Sequence, residues 1–77
     1  MMTEELHQQL EAVTNDPGVY IYRNRQGAII YVGKAVNLKR RTASYFNSDT
    51  KHSEKTLLLV SQIASIETIV VRNEREA

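Results

Sequence analysis

Two tyrosines and an arginine carry the chemistry that this chain could perform. Tyr20 ends the run Gly18-Val19-Tyr20, Tyr31 begins Tyr31-Val32-Gly33, and Asn24-Arg25-Gln26-Gly27 lies between them. If those four residues form a hairpin loop, Arg23 faces Ala28, and Tyr20 lies directly across from Tyr31 on one face. Gly27 supplies the positive φ that such a loop needs at its end. Lys34 follows just past Tyr31, and Arg41 falls on the inward side of the next helix with no acidic partner nearby in sequence. Unpaired cations at a partly buried site are costly, and an incoming phosphate would neutralise them. A plain structural alternative exists for each phenol. Tyr20 and Tyr31 could be a cross-strand aromatic pair worth up to ~1 kcal/mol. Tyr45, one turn beyond Arg41, equally suits packing with Phe46 onto the sheet.

The elements that must hold these groups are legible from periodicity. Thr3 is a candidate N-cap for an amphipathic helix over 3–13, with Glu4 and Glu5 in its first turn and Leu6, Leu10 and Val13 at helical spacing. Asn15-Asp16-Pro17-Gly18 ends it. Residues 18–23 and 28–33 are the hairpin strands. Val19, Ile21, Ile30 and Val32 share the expected core face, and Tyr20, Tyr22, Ile29 and Tyr31 share the more polar one. A second helix starts at Asn37 as N-cap and runs to about Asn47, with Leu38, Arg41, Thr42 and Tyr45 on one side and Lys39 and Arg40 turned away. After a loop, Ser53 opens a third helix with Leu57, Val60 and Ile63 behind it. A strand over 65–72 has apolar residues on both faces, which predicts a central place in the sheet. The predicted fold is a small α/β (α+β) domain, a three-stranded antiparallel sheet flanked by helices. The predicted domain spans 1–77.

Composition narrows the classes further. A chain of 77 residues buries only roughly 60% of its surface and is marginal unless something supports it. It has no cysteine and two histidines, so disulfides, thiolate zinc sites and a histidine cage are excluded. No apolar run approaches the roughly 20 residues of a membrane span, which makes a cytoplasmic protein the expectation. His7 and His52 lie in polar surroundings, as surface residues would. The net charge of +1 conceals an asymmetry. Residues 1–16 carry four carboxylates and no Lys or Arg, whereas residues 17–55 carry eight basic side chains against Asp49 and Glu54. A basic middle suits a local anionic partner such as a phosphate backbone, and a solvated face is the plainer reading. Gly33-Lys34-Ala35 is not a nucleoside-triphosphate loop, because the motif's first glycine falls at Ala28 and its Ser or Thr at Ala35.

Gly18-Val19-Tyr20 and Tyr31-Val32-Gly33, followed by Lys34, Leu38, Arg41 and Ser44-Tyr45-Phe46, resemble the GIY-YIG nuclease domain. The runs Asp16-Pro17-Gly18, Gly33-Lys34-Ala35, Glu67-Thr68-Ile69-Val70-Val71 and Asn73-Glu74-Arg75-Glu76-Ala77 are similar to the N-terminal nuclease domain of the UvrC family of bacterial excinuclease proteins. The resemblance covers roughly residues 15–77. It implies an endonuclease domain of nucleotide-excision repair that hydrolyses a DNA phosphodiester on the 3′ side of a lesion. It also implies a divalent cation (Mg or Mn), DNA as substrate and the excinuclease component UvrB as partner. By resemblance Tyr31 takes the proton of the attacking water, Tyr20 hydrogen-bonds within the site, Arg41 stabilises the phosphate charge and Lys34 orders water and substrate. Lys39, Arg40, Tyr45 and Asn37 are the expected DNA contacts. A tyrosine, with a pKa ordinarily near ~10, is a poor base unless nearby cations lower it.

The family's metal-binding glutamate is expected on a helix starting at Asn73, beyond Ala77; Glu74 and Glu76 match other positions. Asn73 and Glu76 form a capping-box pattern. The expectation is therefore a fragment cut within that helix, folded but inactive by itself. Two other readings remain open. One is a nucleic-acid-binding module without catalysis, and the other is a stand-alone GIY-YIG nuclease outside excision repair.

Overall fold

The computed structural model describes residues 3–47 and 51–71. The elements run α1 (Glu4–Glu11), β1 (Gly18–Arg23), β2 (Ile29–Ala35), α2 (Leu38–Phe46), α3 (Glu54–Gln62) and β3 (Ser65–Val70). All three helices among the described residues begin where a side chain caps them. Thr3 accepts from the Leu6 N–H, Asn37 from that of Arg40 and Ser53 from that of Thr56. Each replaces an intrahelical bond that the first turn cannot make. The proposed capping box at Asn73 lies outside the described residues.

The sheet is antiparallel with order β2-β1-β3. β3 is therefore an edge strand, against the central place expected from its two apolar faces. Ile69 and Val70 stay exposed instead. The central strand is β1, whose alternate residues Gly18, Tyr20 and Tyr22 are buried.

Helices α1 and α2 pack on the tyrosine face, which inverts the expected core. Leu6, Val13, Tyr20, Tyr22, Leu38 and Ile63 form the buried cluster. The opposite face carries Val19, Ile21, Val32 and Ile69, and Val32 keeps 54% of its surface exposed. Alternation separates an aliphatic face from a phenolic one and points to the aliphatic face as the core; the helices cover the phenolic one. On α3, Leu57 and Leu58 are exposed and Ile63, at the C-cap, is the buried contact.

The hairpin register also differs from expectation. Asn24 closes the turn by accepting the Gly27 N–H at its carbonyl and the Gln26 and Ala28 N–H groups at Oδ1. Gly27 has the expected positive φ of 80°. The ladder then starts at Arg23 opposite Ile29, and a bulge follows, so Tyr22 faces Tyr31 and Tyr20 faces Gly33. Two residues of slip preserve the face of every side chain, because the strand period is two. Tyr20 and Tyr31 thus remain on one side, though diagonal rather than opposite. The bulge at Ile30 also redirects that residue, which packs on the buried cluster rather than on the far face.

The segment between α1 and β1 fixes α2 over the sheet. The Leu38 N–H donates to the Asp16 carbonyl at 3.0 Å and the Lys39 N–H to that of Thr14 at 2.9 Å. Lys39 Nζ donates to the Glu11 carbonyl at 2.6 Å. Two of the backbone donors orphaned at the start of α2 are thereby satisfied by the loop.

Candidate active site

Four tyrosine rings meet on the covered face of the sheet. Tyr20 and Tyr22 are adjacent on β1, with ring centroids 5.3 Å apart. Tyr31 of β2 stacks 6.0 Å from Tyr20 and 6.1 Å from Tyr22. Tyr45 of α2 meets Tyr22 edge-on at 5.3 Å and lies 5.9 Å from Tyr20. Such offset and edge contacts place the positive ring edges against negative faces.

Gly33 makes this arrangement possible. Its position opposite Tyr20 leaves the phenol lying across the β2 backbone, and a Cβ there would sit 2.3 Å from both Cζ and the hydroxyl of Tyr20. Any side chain at 33 would displace that hydroxyl.

The Tyr20 hydroxyl is the hub of the polar network. It lies 3.0 Å from the Tyr45 hydroxyl and accepts from Arg41 Nε at 3.4 Å. Arg41 donation leaves the Tyr20 proton free to bond Tyr45. The Arg41 guanidinium also sits 5.7 Å from the Tyr45 ring centroid, within cation–π range. It makes no ion pair among the described residues, so its terminal N–H groups can meet an anion. The bond to Tyr20, with the Tyr20 and Tyr45 phenols nearby, raises the Arg41 pKa further. Burial, then hydrogen bonds with Tyr20 and Tyr31, hold the Tyr45 phenol above its ordinary value. Burial chiefly does the same to Tyr22, whose hydroxyl has no hydrogen-bond partner among the described residues.

Exposure separates the phenols. Tyr20 is 1% exposed and Tyr22 0%, whereas Tyr31 is 38% exposed. Tyr31 is therefore the phenol of β1 and β2 that solvent and a large substrate can reach.

Lys34 pairs with Val19 and so starts from the opposite face of the sheet. β2 is an edge strand, however, and Lys34 lines a cavity of about 430 Å³ together with Asn37, Arg40, Arg41 and Ser44. The structure thus brings Lys34, Arg40 and Arg41 to one cleft, although Arg40 was expected to turn away. Asn37 contributes to its wall while capping α2. Lys39 is not in that cleft, and its ammonium is engaged with α1. His7 is exposed and 3.0 Å from Glu11, as a surface residue would be. His52 is half-buried, with a buried Nε2, in contrast to its expected surface position.

Sequence reasoning placed Tyr22 on the right face but gave it no part in the cluster. Its parity with Tyr20 was the available signal. The fit of Tyr20 over Gly33 was not visible before the register was known.

No group of three or more His, Cys, Asp or Glu able to hold a metal occurs among the described residues. The cluster offers phenols and a guanidinium but no carboxylate, whereas hard divalent cations favour carboxylate and other oxygen ligands. The described residues alone do not constitute a metal centre.

Comparison with known proteins agrees with the geometry. The UvrC-like GIY-YIG domain profile matches residues 16–77. UvrABC system protein C of Koribacter versatilis is 47% identical over 73 residues, covering 95% of this chain and 12% of that protein. The protein of the same name from Streptococcus pyogenes serotype M5 is 46% identical over 76 residues, covering 99% of this chain and again 12% of that protein. The chain therefore spans a small part of these curated relatives. Among solved structures, the GIY-YIG N-terminal endonuclease domain of UvrC from Thermotoga maritima, bound to magnesium, is 42% identical with a TM-score of 0.80. The match covers 99% of this chain and 81% of that one. A tyrosine-to-phenylalanine variant of that domain, bound to its catalytic divalent cation, gives a TM-score of 0.82 at 39% identity, covering 99% and 80%. Together, these matches and the tyrosine–glycine geometry place the chain in the UvrC-like GIY-YIG domain family.

Proposed function

We propose that the chain is the DNA-cleaving N-terminal domain of a nucleotide-excision repair nuclease, hydrolysing a phosphodiester at the Tyr20–Tyr31–Tyr45–Arg41 cluster. The observation that carries this reading is the convergence of Arg41 Nε and the Tyr45 hydroxyl on the Tyr20 hydroxyl, beside the accessible Tyr31. Hydrolysis builds negative charge on the non-bridging oxygens, and a fixed guanidinium stabilises that charge more than it stabilises the ground state. Tyr20 and Tyr45 orient Arg41. Tyr31, acting as a phenolate, takes the proton of the attacking water as the P–O bond to the leaving oxygen breaks, and that oxygen departs with a proton drawn from solvent. Lys34 and Arg40 hold the backbone beside Arg41, and Asn37 shapes the same cleft. Tyr45 is raised above its ordinary pKa, so it serves as a neutral hydrogen-bonding group rather than a base. Lys39 contributes to DNA attraction through its charge alone, while its contact with the Glu11 carbonyl ties α2 to α1.

The family's divalent cation enters this reading through the Thermotoga domain, described with a catalytic divalent cation and, in one case, magnesium. Three of those structures carry a tyrosine-to-phenylalanine change and still hold the cation, so none of those hydroxyls is required for its retention there. In this chain a carboxylate outside the described residues would supply the ligand that the cluster lacks. Incision on the 3′ side of a lesion, cooperation with UvrB and a cytoplasmic location belong to the same proposal and rest on family membership.

The test is Arg41→Ala in the natural protein at its full length. The cleavage rate should fall by about 10²–10³ while DNA affinity changes less than tenfold. Equal small losses in rate and affinity would favour a binding module instead.

A further inference from the structure

A second cavity adjoins the cluster on the side away from Lys34. It measures about 290 Å³ and is lined by Ile30, Tyr31, Tyr45, Lys55, Thr56 and Leu59. Tyr31 and Tyr45 thus face both the proposed reaction centre and this second space. The two cavities follow one seam. Along β2, Ala35 and Lys34 line the first and Tyr31 and Ile30 the second; along α2, Asn37, Arg40, Arg41 and Ser44 line the first and Tyr45 the second. Arg41 and Tyr45 lie four residues apart, about 6 Å along the helix axis. The phenol–guanidinium cluster sits between the two openings. A strand with its scissile phosphate at Arg41 must continue past it in one direction or the other.

The composition of the second cavity indicates what it takes. Two aromatic rings and two aliphatic side chains form an apolar wall on which a base or sugar can pack. The cation in its lining is Lys55, exposed on the first turn of α3, with no ion pair among the described residues. A lysine there opposes the helix dipole, which favours acidic residues at that end, so helix stability does not account for it. The bulge at Ile30 turns that side chain into the same wall.

We infer that the cavity between β2 and α3 holds the nucleotide adjoining the scissile phosphate, with Lys55 binding that nucleotide's own phosphate as a substrate-positioning residue. The inference rests on the nuclease reading above and extends it with a second phosphate contact on a different helix.

The test uses the 77-residue chain and a fluorescent octathymidylate, with anisotropy measured over a salt series. Lys55→Ala should weaken binding about three- to tenfold and reduce the magnitude of the salt slope by about 0.7, the value for one contact to a single strand. Lys55→Arg should retain both values, and Arg25→Ala, at the distant hairpin turn, should change neither. Replacing single phosphates by methylphosphonates should reveal one position whose neutralisation weakens the wild type but not Lys55→Ala. Wild-type binding that Lys55→Ala leaves unchanged would overturn the inference alone. No salt-dependent binding by the wild type would overturn the nuclease reading beneath it as well.

Discussion

The two faces of the sheet differ in a way that ordinary hydrophobicity would not arrange. One carries Val19, Ile21, Val32 and Ile69, and leaves Val32 and Ile69 about half exposed. The other carries three phenols, Tyr20, Tyr22 and Tyr31, under α2 and alongside Tyr45. The amphipathic residues lie beneath the helix and the simple aliphatic ones face outward. A phenol buries a large apolar ring while keeping a hydroxyl for a partner, so the tyrosine face can serve as core and as the proposed active site together. Stability and chemistry are therefore expected to be coupled on one face and separable on the other.

Truncation of one aliphatic residue from each region should show the largest contrast. Leu38→Ala empties a fully buried position on the sheet-facing side of α2 and should cost about 2–5 kcal/mol in urea unfolding. Val32→Ala on the open face should cost less than ~1 kcal/mol. Comparable losses would mean that the open face is covered. Gly33→Ala comes next. Its Cβ would meet the Tyr20 ring, so a loss of about 1–3 kcal/mol should accompany a much larger fractional loss of cleavage. Full activity in that variant would remove the Tyr20 hydroxyl from the mechanism.

Tyr22→Phe separates the ring from its hydroxyl. The hydroxyl has no partner among the described residues, so phenylalanine should be neutral or stabilising by up to ~1 kcal/mol by the same unfolding assay. Destabilisation beyond that would show that the hydroxyl is bonded. The smallest effect is alkaline. Tyr22 and Tyr45 are raised above the ordinary phenol value near ~10, so the unfolded chain loses its protons first. Their contribution is complete below that value and declines as pH climbs from there toward the raised values. The melting temperature should drop in that range, and Tyr22→Phe should flatten the drop.

The sequence revealed local features well and pairing poorly, for physical reasons. Thr3, Asn37 and Ser53 cap their helices as expected, because capping depends on neighbours three residues away. Tyr20 and Tyr31 share a face as expected, because an error of two residues in register leaves each side chain on its face, and α2 brings Arg41 to the Tyr20 hydroxyl. Which face is core, and which strand is central, depend on contacts between segments far apart in the chain. The clamp of the Thr14 and Asp16 carbonyls on α2 is backbone chemistry that side-chain identity does not encode. Lys55 was invisible for a similar reason: only the docking of α3 beside the bulged β2 brings it to Tyr31 and Tyr45.

The claim on which the mechanism turns is that Tyr20 works through Arg41. A double-mutant cycle on cleavage by the full-length protein, with Tyr20→Phe and Arg41→Ala separately and combined, measures that coupling directly. The double variant should cleave no more slowly than Arg41→Ala alone. Independent, multiplying losses would contradict the shared site.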